Sequence, residues 1–158
     1  MWKIIFFSNF ICLVVFAQQI NEYQEYVKLP ESRLPSSLEI NAECIKETGA
    51  SCDALQRFTK FELDRNNVAD RVYGYCYLIK MGFIDQNGYL IKEAVKDLAR
   101  DNKHIDEVGN VIDACNAENT LTNTISAMFG ILDCFKKNSP IHFTSYNMVQ
   151  VDCKTCNK

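Results

Sequence analysis

The sequence predicts an all-α fold, a six-helix bundle stapled by disulfides around an apolar cavity. Two observations carry this expectation. Apolar residues recur at steps of three and four in six successive segments, and none of those segments shows the sustained alternation of a half-buried strand. Four cysteines, Cys44, Cys76, Cys115 and Cys134, fall on amphipathic segments, and covalent clamps on a helical shell can hold an apolar interior open.

The first element is a secretory signal peptide over residues 1–17. Lys3 supplies its positive end, Ile4 to Phe16 form an apolar run short for a membrane span, and Val15-Phe16-Ala17 precedes the expected cleavage before Gln18. Cys12 leaves with it, and the remaining chain is expected to be soluble, secreted and extracellular. Residues 18–36 read as an extension, in which Ile20, Tyr23 and Val27 fit two turns of amphipathic helix broken by Pro30 and Pro35. The helical domain is expected over 37–138 and a tail over 139–158.

Ser36 or Ser37 is placed to cap a first helix that runs to about Thr48 and ends at Gly49. Ser51 is placed to cap a short second helix carrying Leu55 and Phe58. Val68, Val72, Cys76 and Ile79 then step by four, four and three along one face of a third helix. Gly82 suits a left-handed cap, and Asp85-Gln86-Asn87-Gly88 is a turn signal. A fourth helix carries Leu90, Ile91, Ala94, Val95 and Leu98. The fifth carries Ile105, Val108, Val111, Ile112 and Cys115. The sixth carries Ile125, Met128, Phe129, Leu132 and Phe135, with Pro140 just beyond its end. In the tail, Ile141, Phe143, Val149 and Val151 hint at an extended segment over 141–152.

Charge and composition exclude several classes. Residues 1–17 hold one charged side chain, Lys3, so its loss moves the net charge from −3 to −4. A mildly acidic chain does not favour nucleic acid or an anionic lipid surface, both of which need positive charge. Secretion makes disulfides the default reading of the thiols and metal ligation the minor one. No Asn-x-Ser/Thr acceptor for N-glycosylation occurs. His104 and His142 are the two histidines, with neither the spacing of a zinc hydrolase nor a cysteine neighbour, and no nucleophile elbow or phosphate loop is present. His104 reads as exposed at a helix start, and the scattered acidic residues read as a solvated face. The chain is therefore expected to be no enzyme and to need no cofactor or metal.

Cys44, Cys76, Cys115 and Cys134, with the segment from Cys76 through Gly82 to Gly88, resemble the insect odorant-binding proteins, the pheromone-binding and general odorant-binding family. The resemblance covers about residues 37–137. That family usually carries six cysteines, with bridges joining first to third, second to fifth and fourth to sixth. Here Val72 stands at the second position and Ile125 at the fifth, so both halves of one bridge are absent and the other two are complete. This is the pattern of the four-cysteine, minus-cysteine type. The resemblance implies Cys44–Cys76 and Cys115–Cys134 bridges, each worth roughly 3–4 kcal/mol. It also implies that the third and sixth helices, lacking their bridge, are freer to part.

Cys52, Cys153 and Cys156 have no counterpart in that pattern. Cys52 can bridge to Cys153 or Cys156, or those two can bridge to each other and leave Cys52 free. Seven cysteines after residue 17 leave one thiol over, for a dimer or for reactivity. Cys153 to Cys156 lacks the strand-then-helix setting of a redox pair.

The resemblance further implies a carrier of small hydrophobic ligands such as odorants or pheromones, held in a cavity between the helices. The candidate lining is Leu55, Phe58, Tyr75, Ile79, Leu98, Met128, Phe129 and Leu132, covered by Phe143 and Tyr146 of the tail. The expected partners are the ligand, a membrane receptor and a second copy of the chain, with no nucleic acid. The competing expectation is a secreted protein-interaction or signalling factor, salivary or reproductive, on the same scaffold.

Overall fold

The computed structural model describes residues 25–28, 30–60 and 62–144. Strand β1 (Glu25–Lys28) leads into a 3-10 turn (Glu31–Arg33) and six helices. These are α1 (Leu34–Thr48), α2 (Ala54–Thr59), α3 (Val68–Lys80), α4 (Lys92–Leu98), α5 (Ile105–Glu118) and α6 (Thr124–Asn138). Strand β2 (Ile141–Thr144) follows. The body is all-α, as the periodicity predicts.

Its termini bring a correction. β1 and β2 pair in parallel, Glu25 opposite Ile141 through Lys28 opposite Thr144. Val27, expected on a short helix, lies in this ribbon opposite Phe143, while Ile20 and Tyr23 lie outside the described residues. Two helical turns alone are marginal in water, whereas a strand alongside β2 gives the backbone at Val27 hydrogen-bond partners. Of the extended tail expected over 141–152, residues 141–144 form β2 and the rest lies outside the described residues.

Helix α1 starts at Leu34, before either serine expected to cap it. Pro35 sits in its first turn, where the missing N–H costs nothing because the opening turn has no acceptor for it. Ser37 is fully buried within the helix. Gly49, with φ 70°, ends α1 in the left-handed conformation expected. For α2 the cap position is Asp53, not Ser51; Ser51 instead donates its hydroxyl to the Asp53 carboxylate at 2.6 Å. Leu90 and Ile91 precede α4. Leu90 bridges to Ile84, and its backbone exchanges hydrogen bonds with the Asn116 side-chain amide at 3.1 and 2.9 Å.

The turn from α3 to α4 follows its sequence signals. At Gly82 (φ 75°) the N–H bonds back to Ile79 and that of Phe83 to Leu78, which satisfies the last carbonyls of α3. Gly88 (φ 85°) closes the next turn, and a Cβ there would stand 2.5 Å from the Thr124 carbonyl oxygen. The start of α6 therefore packs directly on this turn.

Two disulfides staple the helices: Cys44–Cys76 joins α1 to α3, and Cys115–Cys134 joins α5 to α6. These are the pairs the family resemblance implies. Tyr73, Val108, Ile112, Met128, Ile131 and Ile141 are fully buried in the core between them.

Candidate functional site

Helix α2 and the segment after it lie across α3 and α6, and the apolar side chains of all four meet there. Phe58 of α2, Leu63 and Arg65 of the connecting segment, and Phe129 and Leu132 of α6 line a cavity of about 20 Å³. That is room for one water molecule and not for a ligand of several carbons. Gly74 of α3 makes the close approach possible. A Cβ at this position would stand 3.1 Å from Leu63 Cδ1, 3.6 Å from Phe129 Cζ and 3.7 Å from Met128 Cε.

On its other side Phe58 meets a buried aromatic and polar cluster. Its ring lies edge-on to Tyr77 at 5.5 Å and to Tyr73 at 6.4 Å. Tyr73 donates its hydroxyl to Asn41 Oδ1 at 2.8 Å, and the Tyr77 and Ser37 hydroxyls are 2.5 Å apart. Ser37 and Asn41 are one turn apart on α1, and Tyr73 and Tyr77 one turn apart on α3, so the two helices present matched polar pairs. Burial raises the Tyr77 phenol above its ordinary pKa, and the bond to Ser37 works against that rise. Phe58 thus stands between an apolar corner and a hydroxyl-lined one.

Charge anchors the short α2. The Arg57 guanidinium bonds the buried Asp70 carboxylate of α3 and also reaches Asp53 at 2.5 Å. Arg57 holds the Asp53 carboxyl below the usual carboxylate range, and Ser51 adds to the effect. Asp70 corrects the expectation that the acidic residues form a solvated face. Its desolvation is offset by the guanidinium and by the Asp64 N–H at 3.2 Å. At the outer edge Arg65 forms a two-point pair with Asp133 of α6, and its guanidinium carbon lies 5.2 Å from the centre of the Phe129 ring. Asp133 raises the Arg65 pKa further.

The expected lining residues scatter. Phe58, Phe129 and Leu132 line the cavity together, and Met128 is fully buried beside them at Gly74. Leu55 and Ile79 pack into the core without lining it. Tyr75 is half-buried and donates its hydroxyl to the Gln86 carbonyl at 3.3 Å. Leu98 lies elsewhere, in an open cleft of about 690 Å³ shared with Pro30, Ser32, Arg33, Asp97 and Lys103. Asp97 accepts from Arg100 and from Arg33 there, and both hold its carboxyl below the usual range. Charged side chains thus stand beside Pro30, Leu98 and Ala99 in its walls. Phe143 takes part in β2 by its backbone, but its side chain and all of Tyr146 lie outside the described residues.

Leu63 and Arg65 were not legible as lining, nor were the four polar residues as a buried cluster beside Phe58. The paired spacing of Ser37 with Asn41 and of Tyr73 with Tyr77 was the available signal, as was Gly74 in mid-helix. His104 is half-buried at the start of α5 rather than exposed, its Nδ1 3.0 Å from a Glu107 carboxylate oxygen. Among the described residues no cluster of His, Cys, Asp and Glu is placed to hold a metal, and no helix is long and apolar enough to cross a membrane.

A search among curated proteins finds no match to this sequence. The PBP/GOBP family profile matches residues 28–138, from the end of β1 to the last residue of α6 and across both disulfides. The family is one of binding and carrier proteins, and with that match over most of its length this chain belongs to the PBP/GOBP family.

Proposed function

We propose that this protein is a secreted carrier that holds a small hydrophobic ligand, an odorant, pheromone or similar semiochemical, between α2, α3 and α6. The observation that carries this reading is the apolar corner of Phe58, Leu63, Phe129 and Leu132 in a member of a carrier family. A ligand that buries about 300 Å² of apolar surface gains about 7 kcal/mol at 25 cal/mol per Å², less the cost of parting the walls. Met128 suits such a wall, because its unbranched thioether repacks readily. Val72 and Ile125 stand where the family usually has a third bridge, and the absence of that tie between α3 and α6 favours an adaptable site.

The test is displacement of a fluorescent apolar probe from the oxidised chain by volatiles and fatty acids. Micromolar uptake with selective displacement supports the carrier. A folded chain that takes up no probe sinks it. The small volume of the described cavity favours one second reading, a secreted protein-interaction factor with a filled interior, and that reading gains if no probe is taken up.

A further inference from the structure

We propose that the Arg65–Asp133 pair is a latch that holds the apolar site shut in the free protein, so that ligand is admitted where segment 62–67 parts from α6. This rests on the carrier reading above.

A cavity of about 20 Å³ cannot take an odorant-sized molecule without the movement of a wall. Most walls are tied. Cys44–Cys76 holds α1 to α3, and Cys115–Cys134 holds α5 to α6. At Gly74 the tight approach to α3 is that of Leu63 in the segment itself, 3.1 Å from where a Cβ would stand, while Phe129 and Met128 of α6 lie at ordinary contact distance, 3.6 and 3.7 Å. The root of α2 is pinned by Arg57 on Asp70, and the Asp64 N–H bonds the same carboxylate.

The side of the segment that faces α6 differs. Among the described residues its hydrogen bonds to α6 are those of Arg65 to Asp133. The two side chains are 52% and 50% exposed, so water and salt compete for both charges and the pair opens easily. Its place matters more than its strength. The guanidinium lies over Phe129, itself a cavity wall, so closing the pair draws Arg65 across the opening. Asp64 anchors the segment from within and Asn67 caps α3 at its far end, so what the clasp at Arg65 frees is the face of the segment, Leu63 and Arg65, that lies against α6.

The test is stopped-flow uptake of N-phenyl-1-naphthylamine by the oxidised chain, by Arg65→Ala, by Asp133→Ala and by the charge-exchanged Arg65→Asp/Asp133→Arg pair. Each single variant should raise the association rate about two- to five-fold, and the exchanged pair should return toward the parent value. High salt should speed the parent and leave the single variants unchanged. Amide exchange on the ligand-free proteins should be faster at residues 62–67 in the single variants. Equal association rates overturn the latch, and so does unchanged exchange in that segment. If the parent takes up no probe while exchange still responds, the carrier reading fails and the latch stands as a clasp on the segment.

Discussion

Arg57 of α2 and Asp70 of α3 lock together through two parallel hydrogen bonds, Nη2 to Oδ1 at 2.6 Å and Nε to Oδ2 at 3.2 Å. The carboxylate side chain is 4% exposed. Six residues of helix cannot persist in water unaided, so this pair, with the packing of Leu55 and Phe58, is what keeps α2 on the bundle.

Asp70→Asn keeps the shape and removes the charge that Arg57 faces. It should lower the unfolding free energy by about 1–2 kcal/mol in urea titration, because a buried amide N–H then faces either Arg57 or the Asp64 N–H where a carboxylate oxygen accepted, while Asp53 still pairs with the guanidinium. Asp53→Asn, at the exposed end of the same network, should cost less than about 1 kcal/mol. Equal losses at the two positions would mean that burial does not set the strength of the pair.

The disulfides span 32 and 19 residues in sequence. Loop-closure entropy then assigns about 4 and about 3 kcal/mol to them. Cys44→Ser should lower the thermal midpoint by roughly 10 °C, and Cys134→Ser somewhat less. A midpoint unchanged by Cys44→Ser would refute the staple between α1 and α3.

Gly88 and Gly49 separate backbone strain from crowding. Both have positive φ, but a Cβ at Gly49 meets nothing within 4 Å while one at Gly88 runs into the Thr124 carbonyl. Gly49→Ala should therefore cost about 1 kcal/mol, from the left-handed conformation alone. Gly88→Ala should cost about 3 kcal/mol, since the start of α6 must also move. Chemical denaturation of the two variants checks the ranking, and a reversal would put the turn from α3 to α4 in doubt.

His142 of β2 has its pKa lowered from the ordinary 6.5, first by burial and then by the Lys136 ammonium. The folded state thus binds fewer protons than the unfolded one, and stability rises with pH across the interval between the two values. Stability should be full above about pH 6.5 and fall as acid takes the solution below it. Urea midpoints at pH 7.5 and 5.5 should differ more in the parent than in His142→Gln. Identical pH dependence in the two would exclude this histidine as a contributor. Titration of the carboxylates would then be the remaining source.

Helix positions were legible because helical periodicity is local. Val108, Ile112 and Cys115 predict the buried face of α5 whatever lies against it, and Gly82 and Gly88 mark their turns through intrinsic conformational freedom. The helix at α3 was legible but its buried face was not: Val68 is 70% exposed and Val72 and Ile79 are half-buried, because α1 and α6 pack on the side of Tyr73, Gly74 and Tyr77 instead. The boundaries that moved are those decided by distant partners. Ser37, a plausible cap on local grounds, is drawn inside α1 to meet Tyr77 forty positions away. Val27 joins a strand because β2 returns beside it from beyond α6.

By itself the sequence determined the number of helices, the apolar faces of α5 and α6, and a cysteine pattern similar enough to a known family to imply both pairings. Tertiary structure alone decided the composition of the site. It set Leu63 and Arg65 beside Phe58, Phe129 and Leu132, and it placed Leu98 in a polar cleft elsewhere. The physical reason is range. A side chain's helical face follows from neighbours three or four residues away, whereas Arg65 finds Asp133 across 68 positions, through the packing of helices whose crossing no local spacing encodes.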